Sequence, residues 1–188
     1  LYVPYWAGYL YKINAATGEV LWERKLITYL GLPADAVSRT SPAYADGILY
    51  IGTQLGAQLL AVSAATGNLL WATAMDSHPL AIMTQSAIVK AGVIYQGVAS
   101  LEEGAAADPN YPCCTFRGSI NAVSASTGDV LWKTYMLPDN GGLPGTAFGT
   151  GYASALQTGA ADAYRGRVFG ALLANSALFM IVGAAIAG

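Results

Sequence analysis

Charge is the first thing this sequence lacks. Of its 188 residues only 11% are Asp, Glu, Lys or Arg, less than half the share in an ordinary soluble domain. The formal net charge is −2, so there is no basic footprint for a nucleic-acid backbone, and that class of partner is excluded. His78 is the only histidine, in "MDSHPLAIM"; it precedes a proline, reads as part of a loop and is given no role. No Gly-rich phosphate loop, Ser-His-Asp set or zinc-ligand spacing occurs, which leaves phosphoryl transfer, triad hydrolysis and zinc chemistry without candidate residues. Cysteine is nearly absent. Two residues cannot make a multi-bridge framework and permit one disulfide at most, which would persist only in an oxidising compartment. The chain opens Leu1-Tyr2-Val3-Pro4, without initiator methionine, basic leader or cleavage site. It is read as a piece of a longer open reading frame or a processed product.

Apolar and small residues are abundant, 54% apolar with 22 glycines, and they fall into an internal repeat. The segments "YLYKINAATGEVLWERKL" (9–26), "QLLAVSAATGNLLWATAM" (58–75) and "SINAVSASTGDVLWKTYM" (119–136) share the pattern small-Thr-Gly-x-x-Leu-Trp. The glycines are Gly18, Gly67 and Gly128, and the tryptophans are Trp22, Trp71 and Trp132. The tryptophans are spaced by 49 and then 61 residues, and the 12 extra residues fall near "LEEGAAADPNYP" (101–112). A period near 49 suits a four-stranded propeller blade.

The strands can be assigned from turn residues and short apolar runs. In the second blade "TSPAYADG" turns at Asp46-Gly47 into "ILYIGTQ", and "QLLAVSA" turns at Thr66-Gly67-Asn68 into "LLWATAM". The third repeats the plan with "QSAIVKAG", "VIYQGVAS", "GSINAVSA" and "DVLWKTYM"; the first lacks its first strand. The expected fold is all-β: an incomplete β-propeller of about three four-stranded blades over residues 1–142, then a Gly/Ala-rich junction at 143–163 and one apolar α-helix within 164–188. Each tryptophan is expected to pack against the next blade. Open edges on both sides predict that the isolated chain folds poorly.

The two cysteines are adjacent, Cys113-Cys114. Consecutive Cα atoms lie about 3.8 Å apart, whereas ordinary disulfides prefer about 4.4–6.8 Å. A bond between neighbours closes a small ring that does little as a staple. Two reduced thiols at a strand start are the alternative, and the residues alone leave both readings open.

The segment Ala61-Val62-Ser63-Ala64-Ala65-Thr66-Gly67 through Trp71, with its counterpart Ala122 through Trp132, resembles the tryptophan-docking repeat of quinoprotein dehydrogenase propellers. These use pyrroloquinoline quinone (PQQ). The first copy departs in carrying Lys12 at the leading position. The resemblance implies that Cys113 and Cys114 form a vicinal disulfide lying against one face of the quinone, with Arg117 as the arginine that meets its carboxylates. Arg117 follows three residues after the pair, where the methanol dehydrogenase pattern has about five. The stretch from Ser100 to Asn140 is most similar to the polyvinyl-alcohol dehydrogenase branch, which carries a haem c domain. No Cys-x-x-Cys-His occurs in this chain, so haem is not expected in it.

The family also implies calcium, which takes hard oxygen ligands. Glu102, Glu103, Asp108 and Asn110 are near the pair but read as a solvated loop, with the catalytic base and most metal ligands expected in other blades. The implied function is a fragment of a PQQ-dependent alcohol dehydrogenase of the polyvinyl-alcohol type. Its parent would pass hydride from an alcohol to the quinone in the periplasm and deliver electrons to an acceptor; the fragment, without its missing blades, would be inactive. The alternative is a non-enzymatic propeller of the same repeat, serving as a scaffold for protein contacts.

From Val168 to Gly188 there is no charge, a length sufficient to cross a bilayer, and Arg165 and Arg167 precede it as cytoplasmic flanks do. "RGRVFGALLANSALFMIVGAAIAG" resembles a loop and helix of major facilitator superfamily transporters. Membrane contact through 168–188 would put the propeller on the cytoplasmic side, against an oxidising site for the cysteines. A chimeric or truncated sequence is therefore the reading adopted, ahead of an inner-membrane anchor or a buried helix.

Overall fold

The computed structural model of the protein describes residues 1–29, 36–108 and 110–139. The junction at 143–163 and the helix expected within 164–188 lie outside the described residues. Among those described, no helix is long and apolar enough to cross a membrane.

Three antiparallel sheets follow one another along the chain. The first contains β1 (Tyr2–Tyr5), β2 (Tyr9–Ile13) and β3 (Val20–Lys25) in that order, three strands among the described residues. A 3-10 turn, Leu26–Tyr29, follows it. The second is the complete four-stranded sheet β4 (Ala43–Ala45), β5 (Ile48–Gly52), β6 (Gln58–Ser63) and β7 (Leu69–Ala74). The third departs from the expected four strands. It holds five: β8 (Ala81–Ile82) and β9 (Ile88–Lys90) both pair with β10 (Val93–Ser100), which continues to β11 (Ser119–Ser124) and β12 (Val130–Tyr135). β10 is long enough, at 8 residues, to hold β9 at its start and β8 at its end. A short helix, α1 (Glu102–Ala105), interrupts the connection after β10.

The period-2 alternation of strands explains why the middle sheet is apolar throughout. Leu49 and Ile51 of β5, with Leu60 and Val62 of β6, pack with Leu10, Leu26 and Trp22 from the first sheet's side. The alternate residues Tyr50, Leu59 and Ala61 pack with Ile94, Val98 and Val123 of the third sheet. Each fully buried Leu or Ile here contributes roughly 1.5–3 kcal/mol. The continuous apolar runs are those of a sheet covered on both faces.

The repeated motif has a repeated geometry. In each copy the Gly N–H donates to the carbonyl four residues earlier, Asn14, Ser63 or Ser124. The Thr17, Thr66 and Thr127 hydroxyls accept from the N–H two residues on. The pairing then slips by one residue at the same place in all three hairpins, between Lys12/Ile13, Ala61/Val62 and Ala122/Val123. The skipped residues are Leu21, Leu70 and Leu131, and all three are exposed. The bulge turns the leucine outward.

The tryptophan then lies over the next sheet's corner. Trp22 Nε1 donates to the Ala64 carbonyl at 3.3 Å and Trp71 Nε1 to the Ala125 carbonyl at 3.2 Å. Arg24 and Thr73 donate to the Thr66 and Gly128 carbonyls beside them. Gly67 and Gly128 have φ of 73° and 80°. A Cβ on Gly128 would come within 2.7 Å of the Trp71 ring, and one on Gly67 within 3.1 Å of the Trp22 ring. Glycine is required here twice, for its positive φ and for the ring above it.

Candidate functional site

Up-and-down strands bring alternate connections out at the same end of a sheet. The β10–β11 connection, residues 101–118, therefore emerges beside the connection that enters β8. The join is explicit: Ser100 pairs with Ala81, and Leu101 N–H donates to the Leu80 carbonyl at 2.9 Å. Asp76 and His78 lie just before β8. Asp76 accepts from the His78 amide and pairs with Lys133 of β12.

Within the long connection, Asp108 builds a tight turn by accepting from the Asn110 amide and side chain, and Cys113 N–H donates to the Tyr111 carbonyl at 2.7 Å. Cys113 and Cys114 are bonded to each other across a cis peptide, with Cα atoms 3.0 Å apart. Cys114 is buried and Cys113 is half-buried, so the pair presents one side. Arg117 follows: its Nε and Nη2 donate to the Leu137 carbonyl at 3.1 and 2.9 Å, and its Nη1 to Asp139 at 2.9 Å. Its guanidinium lies 4.1 Å from the centre of the Tyr135 ring. These contacts fix the arginine while leaving N–H groups over for a further acceptor.

Two hollows flank Arg117 and Gly118. One, of about 220 Å³, is lined by Asp76, His78, Thr115, Phe116, Arg117 and Tyr135. The other, of about 320 Å³, is lined by Gln85, Val98, Gly118, Ser119, Ile120 and Met136 among others.

Glu102 is the site's unforeseen residue. It was expected in a solvated loop, yet its side chain is wholly buried. Oε1 accepts from the Tyr111 hydroxyl at 2.9 Å and the Thr115 amide at 2.9 Å, and Oε2 accepts from the Phe116 amide at 2.8 Å. Burial would raise its pKa, but the Thr115 and Phe116 amides, the Tyr111 hydroxyl and nearby His78 outweigh that and hold the carboxyl below its usual range. Tyr111 shifts the other way, raised by burial and by the hydrogen bond and negative charge of Glu102. The only sequence signal was an acidic pair, Glu102-Glu103, in a chain poor in charge; nothing in the spacing tells which of the two turns inward.

The remaining oxygen-rich residues do not gather. Glu103 is exposed on α1, Asp108 is used within its own turn, and among the described residues no three His, Cys, Asp or Glu side chains group so as to hold a metal ion.

A family model described as outer membrane protein assembly factor BamB (PQQ_2) matches residues 1–142. A polyvinylalcohol dehydrogenase of Sphingopyxis sp. is 36% identical over 137 residues, covering 69% of this chain and 20% of that protein. A quinohemoprotein alcohol dehydrogenase, ADH IIB of Pseudomonas putida, is 30% identical over 138 residues, 70% of this chain and 18% of that protein. Among solved structures, quinohemoprotein alcohol dehydrogenase from Comamonas testosteroni superposes with a TM-score of 0.56 at 24% identity, covering 76% of this chain and 20% of that one. The chain thus spans about a fifth of the length of these proteins.

Proposed function

The chain belongs to the PQQ_2 propeller family, and from that premise we propose that it is part of a quinoprotein alcohol dehydrogenase of the polyvinyl-alcohol type. The observation that carries this reading is the Cys113–Cys114 disulfide in the β10–β11 connection, with Arg117 three residues further on. A bridge between neighbours closes no chain loop worth closing; its use is as a surface.

The described residues fit the organic cofactor and not the metal. Cys113 and Cys114 would lie under the planar ring, and Arg117 would offer its spare N–H groups to a carboxylate. When bound, PQQ supplies a quinone that accepts a hydride equivalent from an alcohol. Arg117 would hold a carboxylate of the cofactor, with its guanidinium kept in place by Tyr135 and the Leu137 carbonyl. Among the described residues no group of carboxylates gathers to hold calcium; its ligands and the catalytic base are proposed to come from other blades of the parent. A periplasmic location accords with the disulfide.

The test is a dye-linked assay on the full-length gene product that contains residues 1–142. With PQQ and calcium supplied, it is expected to bleach an electron-acceptor dye in the presence of an alcohol. A folded protein that shows no PQQ-dependent bleaching with any alcohol, the polymer included, would favour a non-enzymatic scaffold.

A further inference from the structure

We propose that Glu102 is the positioning residue of the Cys113–Cys114 platform: its buried carboxylate grips the chain on both sides of the pair and fixes which way the disulfide faces. Only the word platform rests on the cofactor reading above; the grip stands on its own geometry.

Tyr111 lies two residues before the pair, and Thr115 and Phe116 one and two residues after it. Glu102 binds all three, through Tyr111 Oη, both the amide and hydroxyl of Thr115, and the Phe116 amide. Its own backbone carbonyl lies 3.9 Å from Cys113 Sγ. One residue at the start of the connection thereby closes the whole excursion onto itself.

Every group facing the carboxylate is a donor. Besides those named, His78 approaches from the connection entering β8. Its Nδ1 accepts from the Leu80 amide at 3.2 Å, which leaves the ring proton on Nε2. That nitrogen lies 3.2 Å from Thr115 Oγ1 and 3.4 Å from Glu102 Oε1. An all-donor shell satisfies an ionised carboxylate and rejects an amide, whose NH₂ would meet the Thr115 or Phe116 N–H. The titratable groups facing Glu102 are His78 and Tyr111, and the carboxyl is held below its usual range. Glu103 is exposed on the same helix and serves as a built-in control.

The experiment compares Glu102→Gln, Glu103→Gln and Tyr111→Phe in the same full-length gene product. The first readout is the rate at which dithiothreitol reduces Cys113–Cys114 at neutral pH, followed by thiol labelling. The second is the amide resonances of Thr115 and Phe116 as pH is lowered. E102Q is expected to speed reduction by about tenfold or more, Y111F by about threefold, and E103Q not at all. In the parent protein both amides should titrate together, below the usual carboxylate range, and E102Q should abolish that step. Y111F loses only one donor and keeps the proposal testable if E102Q does not fold. Unchanged reduction rates in the variants, or an amide titration that survives E102Q, would overturn it. A parent protein that fails to bind PQQ while E102Q still speeds reduction would sink the cofactor reading and uphold the grip.

Discussion

Gly128 and Gly18 occupy the same corner of the same repeat, with the same φ of 80° and 76°. Above Gly128 lies the Trp71 ring, and a methyl would strike it at 2.7 Å; above Gly18 no atom of the described residues lies within 4 Å. The tryptophans divide in the same way. Trp22 and Trp71 each donate to a carbonyl of the following sheet, whereas Trp132 is 46% exposed and meets no acceptor among the described residues. Glu102 and Glu103 repeat the contrast within one turn of helix. Identical residues differ in worth because their neighbours differ, and the motif identifies the residue without identifying the neighbour.

Four substitutions, each measured by denaturant unfolding of the full-length gene product, sharpen that contrast. Trp71→Ala should cost the most, about 4 kcal/mol, by emptying a packed site and leaving the Ala125 carbonyl without its donor. Trp132→Ala should approach that cost in the full-length product, where a further blade of the parent covers the ring; about 0.5 kcal/mol or less would mean that the ring stays as exposed as it is among the described residues. Gly128→Ala follows at about 3 kcal/mol, combining a left-handed φ with a clash against the ring above. Gly18→Ala carries the left-handed φ alone, about 1 kcal/mol, where no ring of a preceding blade lies over it in the parent; a cost equal to that of Gly128→Ala would show such a ring.

Glu102→Gln should cost about 2 kcal/mol, through donors left facing an amide, while Glu103→Gln is near neutral. Because the fold holds the Glu102 carboxyl below its usual range, its contribution is complete above the pKa of a free carboxyl. It is lost as pH falls through the lower folded value. Tyr29→Phe should cost about 1 kcal/mol: its hydroxyl ties the 3-10 turn to the Gly67 carbonyl at 2.6 Å. Burial raises this phenol to about 12, with Arg24 opposing. That tie contributes fully below pH 10.0, the ordinary value for a phenol, and is lost as pH rises to about 12; the phenylalanine variant should lack this alkaline step.

What could be read from the sequence was what recurs. Thr-Gly-x-x-Leu-Trp occurs three times, so its hairpin, its glycine and its partner sheet follow from period and turn chemistry. The strands of the middle sheet match closely, because alternate residues there face two covered surfaces. What occurs once was harder. The β8 pairing and α1 answer to no repeat, and Glu102's burial depends on Tyr111 and Thr115 arriving from one side of the cysteine pair and the other, and on His78 from a distant loop. The adjacent cysteines were conspicuous in the sequence, but their bond came from a family resemblance and not from spacing.

The central claim is that Cys113–Cys114 forms the surface on which the quinone lies, and the most direct measurement is a PQQ titration of the full-length gene product, followed by fluorescence, beside its Cys113→Ser/Cys114→Ser double variant. The account predicts saturable binding to the disulfide form and an affinity at least about tenfold weaker in the variant, equivalent to about 1.4 kcal/mol. Equal affinity in two folded proteins would contradict it.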